Sequence, residues 1–218
     1  MNKDRELQEH ILKALEFEPA VDAAQIGVAV KNGVATLSGS VKTFVEKQLA
    51  ARAARHVHGV RAVANDVTVR MDGALQRSDS AIAEAAANAL SWDAAVPVNA
   101  IKAVVSDGWV TLTGVVEWQY QKSAAEDAIH HLYGVKGVIN SIELKPRVEA
   151  RDIKTKIESA FKRSAEVDAS HVNVETRGIG EVILTGTVHS LSERDEAERA
   201  AWSAPGVVRV DDRIAVTP

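Results

Sequence analysis

Cysteine is absent from this chain of 218 residues. Disulfides, thiolate metal sites and a cysteine nucleophile are excluded with it. Aromatic residues are scarce, four Trp, two Tyr and three Phe, so the place of each one carries weight. No run reaches the roughly 20 apolar residues that a membrane-spanning helix needs. The opening stretch, MNKDRELQEHILKALEFEP, is charged throughout and holds no apolar run of signal-peptide length. The chain as given therefore reads as soluble and cytoplasmic, or periplasmic if it is a trimmed mature form. A basic surplus is missing as well. Residues 1–72 carry +1 (10 basic, 9 acidic), 73–146 carry −3 (5 and 8) and 147–218 carry −2 (11 and 13), which sum to the net −4. No segment has the charge of a nucleic-acid binder, and no nucleic-acid partner is expected.

What is present is repetition. GVATLSG (33–39), GWVTLTG (108–114) and GEVILTG (180–186) repeat one pattern at offsets of 75 and 72 residues. Gly33, Gly108 and Gly180 open it, and Gly39, Gly114 and Gly186 close it. Each closing glycine is followed, 20 residues on, by a Gly-Val pair at Gly59, Gly134 and Gly206. A fixed period of this length signals tandem structural units, here 1–72, 73–146 and 147–218.

Each unit reads the same way. Leu7, Ile11 and Leu15 recur at helical spacing, as do Ile82, Ala86 and Leu90, and Ile153, Ile157 and Phe161. Pro19 and Pro97 follow the first two of these helices. A short alternating strand (Ile26, Val28, Val30) then meets Asn32-Gly33, and the second unit has Asp107-Gly108, both two-residue hairpin signals. RGIG in the third unit has one extra residue and predicts a looser turn. In the following strand Ala35 and Leu37, Val110 and Leu112, and Val182 and Leu184 share the apolar face, which must be the core. The opposite face varies, with Val34, Thr36 and Ser38, then Trp109, Thr111 and Thr113, then Glu181, Ile183 and Thr185; it is expected to be solvated or to touch another unit. An alanine-rich helix follows and is expected to end at the in-phase glycine as a C-cap. A third strand closes the unit through Val63, Val67 and Val69, or Val138, Ile142 and Leu144, or Val210, Ile214 and Val216. MDGALQRSD and KPRVEA read as linkers. The fold class is thus α+β: three tandem α-β-β-α-β units, each a three-stranded mixed sheet covered on one face by two helices, with the β-α-β step right-handed.

The G-x-[VA]-x-L-[ST]-G strand, the alanine-rich helix and the segment Gly59-Val60…Val63…Asn65, repeated as Gly134-Val135…Val138…Asn140 and Gly206-Val207…Val210…Asp212, resemble the BON domain (bacterial OsmY and nodulation). The resemblance covers nearly the whole chain. It implies a non-enzymatic bacterial protein tied to osmotic and envelope stress, with anionic phospholipid bound by several members. A relative with one such unit and a LysM module binds potassium; no LysM segment is visible here.

No G-x-S-x-G, H-E-x-x-H or P-loop pattern occurs, so no enzyme activity and no cofactor are expected. His56 and His131 share one position near the end of the second helix, where a cation suits the helix dipole. A zinc site from His130, His131 and a carboxylate is the other reading, disfavoured because adjacent helix residues point about 100° apart. The nine in-phase glycines serve backbone geometry and lack the spacing of a phosphate cradle. Trp109 stands on the variable strand face, and Trp118 and Tyr120 follow that strand. They fit a membrane interface, a partner or packing between repeats. Arg151, Lys154 and Lys162 form a basic stripe opposite Ile153, Ile157 and Phe161, diluted by Glu158. It fits lipid head groups or an ordinary solvated face. The expected function is a binding module active in stress protection, with weak contact to anionic membranes. The alternatives are a protein–protein scaffold and a cation site built from backbone carbonyls.

Overall fold

The computed structural model describes residues 2–71, 73, 76–145, 153–163 and 171–217. The first unit runs α1 (Asn2–Glu16), β1 (Ile26–Lys31), β2 (Val34–Val41), α2 (Phe44–Arg55), β3 (Ala62–Asn65) and β4 (Thr68–Val69). The second runs α3 (Asp79–Trp92), β5 (Ile101–Ser106), β6 (Trp109–Val116), α4 (Gln119–His130) and β7 (Gly137–Leu144). The third runs α5 (Ile153–Arg163), β8 (Val172–Arg177), β9 (Glu181–Val188), α6 (Leu191–Trp202) and β10 (Arg209–Val216). In every unit the middle strand pairs antiparallel with the strand before it and parallel with the one after α2, α4 or α6. This is the mixed three-stranded sheet that the repeat predicts. The third strand of unit one is interrupted at Asp66 and Val67, yet the Asp66 N–H still donates to the Leu37 carbonyl at 2.8 Å.

Asn32 and Gly33 both have positive φ, 53° and 76°, and Asp107 and Gly108 repeat this at 51° and 77°. Such a turn matches the twist of its flanking strands. In unit three Gly178, Ile179 and Gly180 separate Arg177 from its partner Glu181, giving the longer turn. A feature not legible beforehand fixes the first two turns to their helices. Asp4 Oδ2 and Oδ1 accept the N–H groups of Asn32 (3.0 Å) and Gly33 (3.2 Å). Asp79 does the same for Asp107 (2.8 Å) and Gly108 (2.9 Å). The in-phase residue of unit three (79 + 72) is Arg151, which lies outside the described residues.

The N–H of Asn32, then that of Gly33, hold the Asp4 carboxyl below its ordinary value of 3.8. A depressed folded-state pKa stabilises above the unfolded value and loses that effect as pH falls through the folded one. Asp4→Asn is therefore expected to flatten the fall in melting temperature below about pH 4. Parallel acid melts of the two proteins in circular dichroism check this, and superimposable acid limbs contradict it.

Burial follows the period-two reading. Ala35, Leu37, Val110, Leu112, Val182 and Leu184 are fully buried beneath the helices. Leu7, Ile11 and Leu15, Ile82, Ala86 and Leu90, and Ile153, Ile157 and Phe161 face them. Units one and three share one continuous apolar cluster, and unit two has its own, into which Phe44 of unit one inserts.

Two expectations change. The second helices end at Arg55, His130 and Trp202, four residues before Gly59, Gly134 and Gly206, with His56, His131 and Ser203 as C-caps. The glycines lie instead in the following turn, with φ near +90°. Ser78 and Asp79, read as linker, cap and begin α3, the Ser78 hydroxyl accepting the Ala81 N–H at 3.3 Å. On the face expected to be solvated or to touch another unit, Ile183 is only 4% exposed. Its ladder neighbours on that face are Glu175 and Asp211.

The Asn or Asp of the third strand points inward and ties sheet to helix. Asn65 Nδ2 donates to the Lys47 carbonyl at 3.2 Å, and Asn140 Nδ2 to the Lys122 carbonyl at 3.1 Å. In unit three Asp212 cannot donate. Its in-phase helix residue is Arg194, whose Nε reaches Asp212 Oδ2 at 2.6 Å and whose Nη2 donates to the Asp212 carbonyl at 3.3 Å.

Candidate functional site

The three units present chemically different outer sheet faces. Unit one shows small residues: Ala29, Thr36 and Ala64 are ladder neighbours there. Unit three shows a charge lattice. Arg213 Nη2 donates to Asp211 Oδ2 at 2.6 Å, and Arg209 lies 3.7 Å from Glu181. The Arg213 guanidinium holds the Asp211 carboxyl below its ordinary range and is itself pushed up by it. Unit two is apolar: Val104 (62% exposed), Trp109 (47%), Val115 (53%) and Ile139 (49%) stand on one open face. Lys102 and Glu143 share that face by strand alternation. Trp109 pairs with Gly137 across the β6–β7 ladder. A Cβ on Gly137 would lie 2.3 Å from the indole ring, so the ring rests flat over the glycine backbone.

Trp118 and Tyr120 lie elsewhere. Trp109 begins β6, and Trp118 follows its far end at the N-cap of α4. Trp109 on the one side, and Trp118 with Tyr120 on the other, thus belong to two surfaces. Thr43 and Ser190 hold the Trp118 position in the other units, where their hydroxyls accept the Glu46 (3.2 Å) and Glu193 (3.1 Å) N–H groups. An indole cannot accept a hydrogen bond, and the Gln121 N–H turns instead to the Trp118 carbonyl at 3.1 Å. The other half of the cap persists: Gln121 Oε1 accepts the N–H of Glu117 (3.0 Å) and of Trp118 (3.1 Å). The indole at this position serves something other than starting the helix.

It stands at a joint between units. The second helices meet start to end. Phe44 at the start of α2 lies edge-on to His130 at the end of α4, with ring centroids 5.1 Å apart. Asp195 in α6 binds Arg55 at the end of α2. Between the start of α4 and the end of α6, Trp118, Tyr120 and Ser123 face Arg199, Trp202 and Ser203 across a groove of 890 Å³. The matching joint of units one and two leaves 190 Å³. Trp202 is a site residue that the sequence reading missed; only its phase with His130 (130 + 72) could have signalled it.

The basic stripe carries the carboxylate expected among its charges. Lys154 and Lys162 are exposed, but Lys154 Nζ lies 3.7 Å from Glu158 Oε1, and Glu158 and Glu175 line the same hollow. Arg151 lies outside the described residues. His56 and His131 cap their helices, each Nδ1 lying 2.8 Å from a last-turn carbonyl, Arg52 or Asp127. His130 turns to the unit joint, 3.4 Å from Glu126. The His130 ring, then the Asn140 amide, hold the Glu126 carboxyl below its ordinary range. Among the described residues no group of three His, Asp or Glu side chains is placed to hold a metal ion. No helix among them is long and apolar enough to cross a membrane.

The BON domain model matches residues 3–71, 78–146 and 150–218. The osmotically-inducible protein Y of Escherichia coli is 30% identical over 146 residues, 65% of this chain and 73% of that one. Among solved structures, CdsD, a structural protein of the type III secretion system of Chlamydia trachomatis, is 17% identical over 98% of this chain and 93% of that one, with a TM-score of 0.27. A structure titled for the C-terminal domain of CdsD, also 17% identical, covers 97% and 98% with a TM-score of 0.26. The family model matches all three units, and this chain belongs to the BON domain family.

Proposed function

We propose that this chain is a non-enzymatic binding protein acting in osmotic or envelope stress, and that it holds an anionic phospholipid surface through the outer face of its middle sheet. The relative's osmotic induction supports the stress reading. The observation that carries the surface is the group Val104, Trp109, Val115 and Ile139, exposed together on one open sheet face. Apolar patches of this kind mark contact sites, and tryptophan suits a boundary that is apolar on one side and wet on the other. Lys102 supplies a charge for a phosphate, worth about 1 kcal/mol near an anionic surface, and Glu143 offsets part of it.

Flotation with phosphatidylglycerol and phosphatidylcholine vesicles at low salt tests this. The chain is expected to float with the first more than the second. Trp109→Ala is expected to reduce the bound fraction about tenfold, the equivalent of about 1.4 kcal/mol. Absence from both vesicle fractions ends the lipid reading.

A second reading has its own support. The α4–α6 groove gathers Trp118, Tyr120, Trp202 and Arg199, the residue types that dominate protein–protein hot spots. Under it, Trp202→Ala abolishes capture of a host protein while Trp109→Ala leaves it intact.

A further inference from the structure

The three units carry three copies of the same sheet edge, formed by β1, β5 and β8, each paired on one side only. Unpaired edges invite another strand, and proteins ordinarily block them. Two of these edges are blocked. In unit one Gln8 Nε2 donates to the Val28 carbonyl at 2.7 Å, occupying the open side of β1. In unit three β8 carries Asn173, Glu175 and Arg177 on its outer face. The middle edge, β5, reads IKAVVS, with one charge.

The in-phase residues explain the difference. Gln8, Leu12 and Val28 of unit one become Ala83, Ala87 and Ala103 in unit two, each 75 residues on. Alanine at 83 cannot reach a carbonyl, and among the described residues no side chain bonds the Ala103 carbonyl. The three truncations open an apolar groove of 490 Å³ between α3 and β5, lined by Ala83, Ala87, Leu90, Val96 and Val98. Val98 is 85% exposed at its mouth, and Val104 on the strand is 62% exposed.

The hairpin fixes which backbone groups are open. Ser106 and Trp109 flank a two-residue turn, so they form the hydrogen-bonded pair nearest it, and such pairs alternate along the ladder. The N–H and C=O groups of Ile101, Ala103 and Val105 therefore point away from β6. The same alternation places the Val28 carbonyl outward, where Gln8 takes it.

We propose that β5 is a self-association edge, and that a second copy of this chain adds its own β5 antiparallel about a two-fold axis through Val104. Ala103 of each copy then exchanges backbone hydrogen bonds with Val105 of the other. The register has three consequences. Val104 meets its own symmetry mate, covering an exposed apolar side chain. Lys102 stands opposite Ser106 of the second copy and beside that copy's Asp107, so unlike charges meet and like ones do not. The two middle sheets become one six-stranded sheet, and the exposed apolar face described above becomes continuous across the pair. A contact in which the same patch serves both copies is the commonest way for a protein to pair. It does not depend on lipid binding.

Light scattering on the full chain after gel filtration, over a wide concentration range, provides the test. The mass is expected to double with concentration. Ala83→Gln places in unit two the clamp that unit one carries and is expected to weaken association at least about tenfold. Ala103→Pro removes an N–H that the β5–β6 ladder does not use, and is expected to do the same with the melting temperature unchanged. A Val104→Cys variant has no competing thiol in this cysteine-free chain. With oxidised glutathione it is expected to cross-link as a dimer, because facing residues outside the hydrogen-bonded pairs approach within disulfide reach. Ala83→Gln in that background is expected to suppress the cross-link. A chain that stays monomeric at every concentration overturns the proposal. So does a dimer that neither Ala83→Gln nor Ala103→Pro weakens, or one in which Val104→Cys does not cross-link. If Ala103→Pro fails to fold, the other two variants decide.

Discussion

Replacing Gly114 by alanine is expected to destabilise the middle unit by about 3–5 kcal/mol and to lower its melting temperature by at least about 15 °C. Gly114 has φ +149°, and a Cβ built on it lies 2.1 Å from the carbonyl oxygen of Ala100 and 3.1 Å from Ile101 Cα. Both are backbone atoms of the strand's entry, so no rotamer change relieves the clash. Gly39 and Gly186 stand the same way, 2.1 Å from the Gln25 oxygen and 2.0 Å from the His171 oxygen. The glycine that closes each repeat motif exists because β1, β5 or β8 enters against it. Two controls separate the clash from backbone strain. Gly178 has φ +55° with open space around it, so Gly178→Ala is expected to cost only the left-handed penalty, about 1 kcal/mol. Gly73 has nothing within 4 Å, and Gly73→Ala is expected to stay within about 0.5 kcal/mol of the parent. Scanning calorimetry reads all three. A Gly114→Ala protein that melts like Gly73→Ala contradicts the account.

Arg194→Ala is expected to cost about 2–3 kcal/mol, and the pair Arg194→Lys with Asp212→Asn to restore most of it. The Asp212 side chain is 11% exposed and Arg194 33%. Losing the guanidinium leaves a nearly buried carboxylate with one remaining donor, the Ile214 N–H at 2.9 Å. Full burial would put the loss higher, and partial solvent access to Arg194 lowers it. The double change recreates the Lys47–Asn65 and Lys122–Asn140 arrangement, in which a neutral amide donates to a helix carbonyl and no buried charge needs a partner. Urea unfolding of the three proteins measures both parts. If the double variant is no more stable than Arg194→Ala, the Asn and Asp versions of this tie are not interchangeable.

Both predictions concern residues that the repeat itself picked out, and they show what the repeat could and could not say. The periods of Leu7, Ile11 and Leu15, of Ala35 and Leu37, and the Asn32-Gly33 and Asp107-Gly108 turns were legible because each depends on contacts within a few residues or on backbone geometry alone. The phase of the three copies extended that reading to the whole unit. The role of Asn65, Asn140 and Asp212 was not legible. Their partners lie 18 residues away in sequence, and two of the three are backbone carbonyls. The C-caps were misplaced because a glycine after a helix looks the same whether it ends the helix or turns the chain four residues later.

The sequence by itself determined the unit, its number and its core, since helical and strand periods sort apolar from polar side chains without reference to anything distant. Only the tertiary structure decided how the units meet. It set Phe44 against His130, left a groove between Trp118 and Trp202, separated Trp109 from Trp118 and Tyr120, and left β5 open where Gln8 closes β1. Those outcomes depend on which side chains project from elements far apart in the chain toward one another. A one-dimensional pattern records the face a residue occupies, and not what stands across from it.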